Sequence, residues 1–229
     1  MKKYVLIAMG LMAAAFAQAA EERVFALATA GEVDAALAER VRASVEEASG
    51  AAVRFAAPIP LEAGQAMDDI GRAAVQTLTD GDYAVIVLAR PLDDRPQGVC
   101  LPKERFAVLN VAKLEVGADA AKLERRATQE SLRVMTMLLD MAPCPFPLCV
   151  LVGYEKVEDL DRMSGNFCPP CLDRFTRVAR DAGLKLIEKS EPDVVPAEVP
   201  AAEPAPAVEP VAEPIPAAEA APEAAPAVE

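Results

Sequence analysis

The sequence predicts an α/β domain flanked by two segments that do not join its core. Strand-like apolar runs alternate with stretches of helical periodicity through the middle of the chain, a proline-rich acidic segment follows, and a short apolar run behind two lysines precedes. The length of 229 residues is enough for one medium domain with a real core. That core must be aliphatic: aromatic residues are only 4% of the chain and tryptophan is absent.

Val24 to Thr29 reads as a first strand. Val33, Leu37, Val41, Val45 and Ala48 then recur at intervals of three or four, with Gly50 as a stop, the pattern of an amphipathic helix. Ala52 to Ala57 returns to strand character before Pro58-Ile59-Pro60, and a second helix is expected from about Ala66 to Leu78. Asp80-Gly81-Asp82 is a turn signal, and the nearly unbroken apolar run Tyr83 to Ala89 fits a strand buried on both faces. Val99 and the run Phe106 to Val111 suggest two extended segments around a turn at Pro102. From Asp119 to Met141 the period is helical again, with Leu123, Ala127, Val134, Leu138 and Met141 on one face, and Pro143 ends it. A last helix is expected from about Leu172 to Lys189 with Phe175, Val178, Ala182 and Leu186 inward.

The two ends have other signatures. Residues 1–19 combine Lys2 and Lys3, an apolar run from Tyr4 to Phe16 and the small-residue pattern Ala17-Gln18-Ala19, the three parts of a cleavable signal peptide. The run falls short of the roughly 20 residues needed to span a bilayer, so export without stable membrane insertion is expected, to a periplasmic or secreted location. Residues 190–229 hold half of the twenty prolines among alanine, valine and glutamate. Proline removes amide donors and the glutamates repel one another, so a disordered, extended acidic tail is expected there, either a spacer or a docking peptide. The domain itself is therefore placed at residues 20–189.

The net charge is −13. Setting aside nine acids of the tail and the two leading lysines leaves −6 on the middle of the chain. No basic face able to follow a phosphate backbone is evident, which argues against nucleic acid as a partner. Histidine is absent altogether, which excludes a zinc peptidase of the usual histidine-ligated kind.

Four of the five cysteines are close in sequence: Cys144 and Cys149, then Cys168 and Cys171. Two close pairs joined by a loop are the usual way a chain supplies four thiolates to one structural zinc, and Pro143, Pro145, Pro147, Pro169 and Pro170 stiffen both pairs. Two local disulfides, or a thiol-disulfide redox protein using Cys168-Pro-Pro-Cys171, are the other readings of the same residues in an exported protein.

At these residues the chain resembles the archaemetzincins, a family of metzincin-like zinc peptidases. The family carries a helix with H-E-x-x-H-x-x-G-x-x-H, followed at once by a cysteine, four residues and a second cysteine, and later by F-C-x-x-C. Cys144-Pro-Phe-Pro-Leu-Cys149 and Phe167-Cys168-Pro-Pro-Cys171 fit the downstream part. Glu155-Lys-Val-Glu-Asp-Leu-Asp-Arg162 and Gly31-Glu32-Val33-Asp34 extend the likeness, which runs roughly from Val24 to Leu186. The resemblance implies a zincin-like domain with a mixed sheet packed by helices, a cysteine-rich zinc loop and one structural zinc per chain.

Counting back from Cys144, the family's three histidine positions hold Arg133, Met137 and Pro143, its general-base glutamate position holds Val134 and its glycine position holds Asp140. The methionine expected two residues after the second cysteine is Leu151. Arginine repels a dication, methionine is a soft and weak ligand, and valine accepts no proton. The resemblance therefore implies a degenerate member, a pseudo-metallopeptidase without the catalytic metal that binds a peptide or protein through the old cleft. An active hydrolase with another ligand set would have to draw on carboxylates such as Glu130, Asp140 or Asp161, which are more simply read as solvated groups. Cys100, the odd cysteine, reads as a buried thiol rather than a nucleophile.

Overall fold

The computed structural model describes residues 22–91 and 95–187, so the expectations for the leader and the acidic tail lie outside the described residues. The fold is α/β, with five strands in the order β2-β1-β3-β5-β4. They are β1 Val24–Gly31, β2 Val53–Phe55, β3 Asp82–Arg90, β4 Gly98–Leu101 and β5 Phe106–Asn110. β1 pairs in parallel with β2 and β3, β3 pairs in parallel with β5, and β4 runs antiparallel to β5, which makes the sheet mixed.

β3 is central, and its alternate residues enter two different cores. Ala84, Ile86 and Leu88 face the larger one, Val85, Val87 and Ala89 the smaller. Burial on both faces explains why the run lacks the polar alternation of a half-exposed strand.

The first helix, α1 Ala35–Ser49, begins at Asp34, whose carboxylate accepts from the amide of Ala36. It stops at Gly50, whose φ of 70° is the left-handed turn that glycine adopts without cost. On the opposite face lies α2 Met67–Val75, shorter than the period suggested. Gly71 allows its close approach to the sheet, since an added Cβ would stand 2.1 Å from the ring of Phe106.

Two local elements differ from expectation after β5. The chain turns at once into α3 Val111–Glu115, where Asn110 caps the new helix through its side chain. The long helix α4 Ala120–Leu138 follows, ending three residues before Met141. A 3-10 helix at Val157–Arg162 then precedes α5 Pro169–Asp181.

The expected helix Leu172 to Lys189 is corrected at both ends. It starts earlier because Pro169 and Pro170 occupy first-turn positions, where a missing amide costs nothing. It stops at Asp181 because Gly183, with φ of 71°, turns the chain back toward the sheet. Leu184 then bridges Arg23 and Leu186 bridges Ala51, so these leucines pair with residues just ahead of β1 and β2 rather than continue a helix. No helix among the described residues is long and apolar enough to cross a membrane.

Candidate metal centre and cleft

α4 lies across one face of the sheet and buries polar as well as apolar residues. Arg126, Gln129, Glu130 and Ser131 are all buried on it. Burial of such groups is costly unless each finds a partner, and the partners of Arg126 and Gln129 come from the segments on either side of the helix. Arg126 donates two bonds of 2.8 Å to Asp161 and two more to the carbonyls of Leu114 and Val116. Gln129 donates to the carbonyls of Leu160, Met163 and Ser164. Asp161 is thus a structural counterion, held below the usual carboxylate range by the Arg126 guanidinium, and not the solvated group expected from the sequence.

These bonds hold the segment that leads into the cysteine cluster. The Sγ atoms of Cys144, Cys149, Cys168 and Cys171 lie within 4.8 Å of one another, and all four residues are buried. Cys144 and Cys168 are 3.8 Å apart, and all four are free thiols. Four sulfurs at about 2.3 Å from a central zinc stand about 3.8 Å from each other, so the donor set suits a tetrahedral cation. Amides of Phe146 and Cys168 point at the sulfurs of Cys144 and Cys149, the kind of outer contact that supports a thiolate. Burial pushes the thiols of Cys149 and Cys171 up, and four adjacent thiolates would repel one another, so full deprotonation calls for a cation at the centre. Cys168 caps α5 and Cys171 lies in its first turn, so the helix presents this pair in fixed geometry.

The second feature is a cleft between α4 and the edge strand β4. It has a volume of about 340 Å³ and is lined by Gly98, Cys100, Glu130, Arg133, Met137 and Tyr154 among others. A second cavity of about 340 Å³ adjoins it, lined by Arg133, Thr136, Met137, Met141, Pro143 and Leu151. The structure therefore brings Arg133, Met137, Pro143 and Leu151 together around one space, with Val134 lining the other.

Arg133 is the most constrained of them. Its Nη1 donates to the carbonyls of Val150 and Val152 at 2.8 and 2.6 Å, its Nε lies 3.1 Å from Glu130, and its guanidinium stacks on Tyr154. Burial pushes the Glu130 carboxyl up while Arg133 opposes the shift, and burial likewise raises the Tyr154 hydroxyl. Glu130 is thus a buried network member, again not the solvated carboxylate expected. Met137 by contrast is 48% exposed at the mouth of both cavities.

Asp140 has a different place. With φ of 54° it is left-handed, the conformation that favours glycine. Its amide bonds Met137 and the amide of Met141 bonds Thr136, the paired bonds of a Schellman helix end. Cys100 sits half-buried on β4 with its thiol pushed up to about 11 by burial, unsuited to nucleophilic work.

Sequence reasoning missed Arg126, Gln129, Gln97 and Tyr154. A signal existed for the helix residues: positions 126, 129, 130 and 133 repeat at three and four, an inward-facing stripe made of polar side chains.

No protein-family model matches the chain. An archaemetzincin of Pyrobaculum aerophilum is 32% identical over 81 residues, which cover 35% of this chain and 50% of that protein. The chain thus spans about half the length of the curated relative it matches. Among solved structures, an archaemetzincin from Methanopyrus kandleri superposes with a TM-score of 0.55 at 18% identity, covering 69% of this chain and 96% of the other. A zinc-dependent peptidase from Methanocorpusculum labreanum gives 0.54 at 20% identity, covering 66% and 99%.

Proposed function

We propose, from a chain whose fold is that of the archaemetzincins and whose likeness supports that family, that it acts as an exported pseudo-metallopeptidase. In this reading Cys144, Cys149, Cys168 and Cys171 hold one structural zinc, no catalytic zinc is bound, and the cleft serves as a non-catalytic binding site for a peptide or protein.

The observation that carries it is Arg133. Where the family places its first histidine, this chain has a guanidinium anchored by two carbonyls, a carboxylate and an aromatic ring. A fixed cation there opposes a dication, and the absence of histidine from the chain leaves no imidazole to replace it. Peptide binding needs no metal. β4 is the last strand of the sheet, and since Gln97 bonds inward to Asn110, Val99 and Leu101 also pair inward while the amides and carbonyls of Gly98 and Cys100 face outward. An extended peptide can pair with that edge.

The test is a peptide-cleavage assay on the unmodified protein with zinc supplied, beside metal and thiol analysis of the same sample. No cleavage and one zinc per chain are expected. Metal-dependent cleavage, lost on chelation and restored by zinc without refolding, would overturn the reading, and metal-free protein whose CxxC cycles between dithiol and disulfide would favour redox chemistry instead. Export is tested separately by amino-terminal sequencing of protein from the native host, with a start near Ala20 expected and an intact Met1 in the cytosol counting against it.

A further inference from the structure

We infer that the cleft recognises the free C-terminal carboxylate of an extended peptide, because the open edge of β4 and the guanidinium of Arg133 line one cavity. The inference rests on the peptide-binding reading above. Backbone pairing with Gly98 and Cys100 attaches a chain without regard to its sequence, but it does not say where the chain stops. A terminus is selected by a charged donor placed at the end of the pairing edge.

Arg133 has the properties of such a donor. It lines both cavities and so stands on the wall between them. Its Nη1 is engaged by Val150 and Val152 and its Nε faces Glu130, which fixes the plane of the group. Nη2 has no protein partner among the described residues. The guanidinium is thus oriented before a ligand arrives, which lowers the entropy lost on binding. Gln97 and Tyr154, joined by a hydrogen bond from amide to hydroxyl, line the same cavity and add polar partners beside it.

Glu130 is the countercharge that could cancel this role. It is 8% exposed and lies 3.1 Å from Nε, and burial pushes its carboxyl up while Arg133 opposes the shift. The adjoining apolar cavity around Met141, Pro143 and Leu151 offers room for an aliphatic side chain next to the terminus. An Asp or Glu side chain presents the same carboxylate chemistry, so the experiment must separate the two sources.

The probe is an amino-terminally labelled random hexapeptide pool, prepared with free and with amidated C-termini, titrated with the full-length protein by fluorescence anisotropy. The free pool should bind about tenfold more tightly or better, the effect of one charge-assisted contact. Arg133→Gln should abolish the difference, and Arg133→Lys should retain part of it. Equal binding of both pools overturns the carboxylate inference and leaves edge pairing standing, whereas binding of neither overturns both. Preference within the amidated pool for Asp or Glu at the last position, equal in strength to the free pool, overturns the terminal assignment. Should Arg133→Gln unfold, the comparison of the two pools on unaltered protein decides the matter alone.

Discussion

The guanidinium carbon of Arg133 lies 4.7 Å from the centroid of the Tyr154 ring, so a segment following the cysteine pair clamps a residue of the long helix. Replacing Arg133 by histidine removes that clamp without building a metal site. The double variant Arg133→His, Met137→His is expected to hydrolyse no peptide, because Val134 still offers no base and Pro143 no third ligand. It should also be less stable, since the carbonyls of Val150 and Val152 lose their donor. Measured zinc-dependent turnover by this variant would contradict the account.

The cysteine cluster predicts one zinc per chain by elemental analysis of protein purified without reductant. Replacing any one of Cys144, Cys149, Cys168 or Cys171 by serine should lower stability by several kcal/mol, against structural-zinc energies of roughly 10 to 16 kcal/mol. Two stable disulfides in folded, metal-free protein would refute the ligation.

Asp140 predicts a stabilising substitution. Asp140→Gly removes a left-handed residue with a side chain and a negative charge from the C-terminal end of the helix, where the dipole disfavours it. A gain of about 1 kcal/mol is expected in chemical denaturation. A loss would show that the Asp140 carboxylate is doing something the backbone does not reveal.

Arg126 is 1% exposed and carries four hydrogen bonds, so Arg126→Leu should cost about 3 kcal/mol or more, by leaving Asp161 and two carbonyls without their donor. The measurement is again equilibrium denaturation, with a change below 1 kcal/mol as the contrary result.

Acid sensitivity follows from Asp82 and Asp161. Burial alone would raise the Asp82 carboxyl, but Arg54 and the amide and hydroxyl of Thr79 overcome it and hold the group low. Asp161 is lowered by Arg126. Groups lowered in the folded state contribute stability that is fully present above the unfolded value near 3.9 and is lost as pH falls through the folded values. Denaturation midpoints should therefore fall with decreasing pH below about 4. Asp82→Asn should flatten that dependence, and an unchanged pH profile in the variant would be evidence against it.

What was legible in the sequence was whatever depends on near neighbours. The Tyr83 to Ala89 run announced the central strand, the spacing of Leu37, Val41 and Val45 announced α1, and the four cysteines announced their cluster. The polar stripe of α4 does not read as buried, because its partners are carbonyls ten or more residues away, and about thirty in the case of Gln129. The end of α5 was misplaced for a related reason. Leu186 keeps the helical spacing but satisfies a bridge to Ala51, and periodicity cannot tell which neighbour an apolar residue will meet.

That return of the chain has a consequence for synthesis. The carbonyl of Arg23 accepts from Lys185 at 2.7 Å and the carbonyl of Gly183 accepts from Arg23 at 2.8 Å, so the first strand is closed by nearly the last residues of the domain to be made. A nascent chain halted before Gly183 lacks that closure, and the backbone groups of Arg23, Gly50 and Ala52 that it would satisfy remain available to other molecules. The same adjacency puts the two ends of the domain side by side, which makes it a natural candidate for circular permutation.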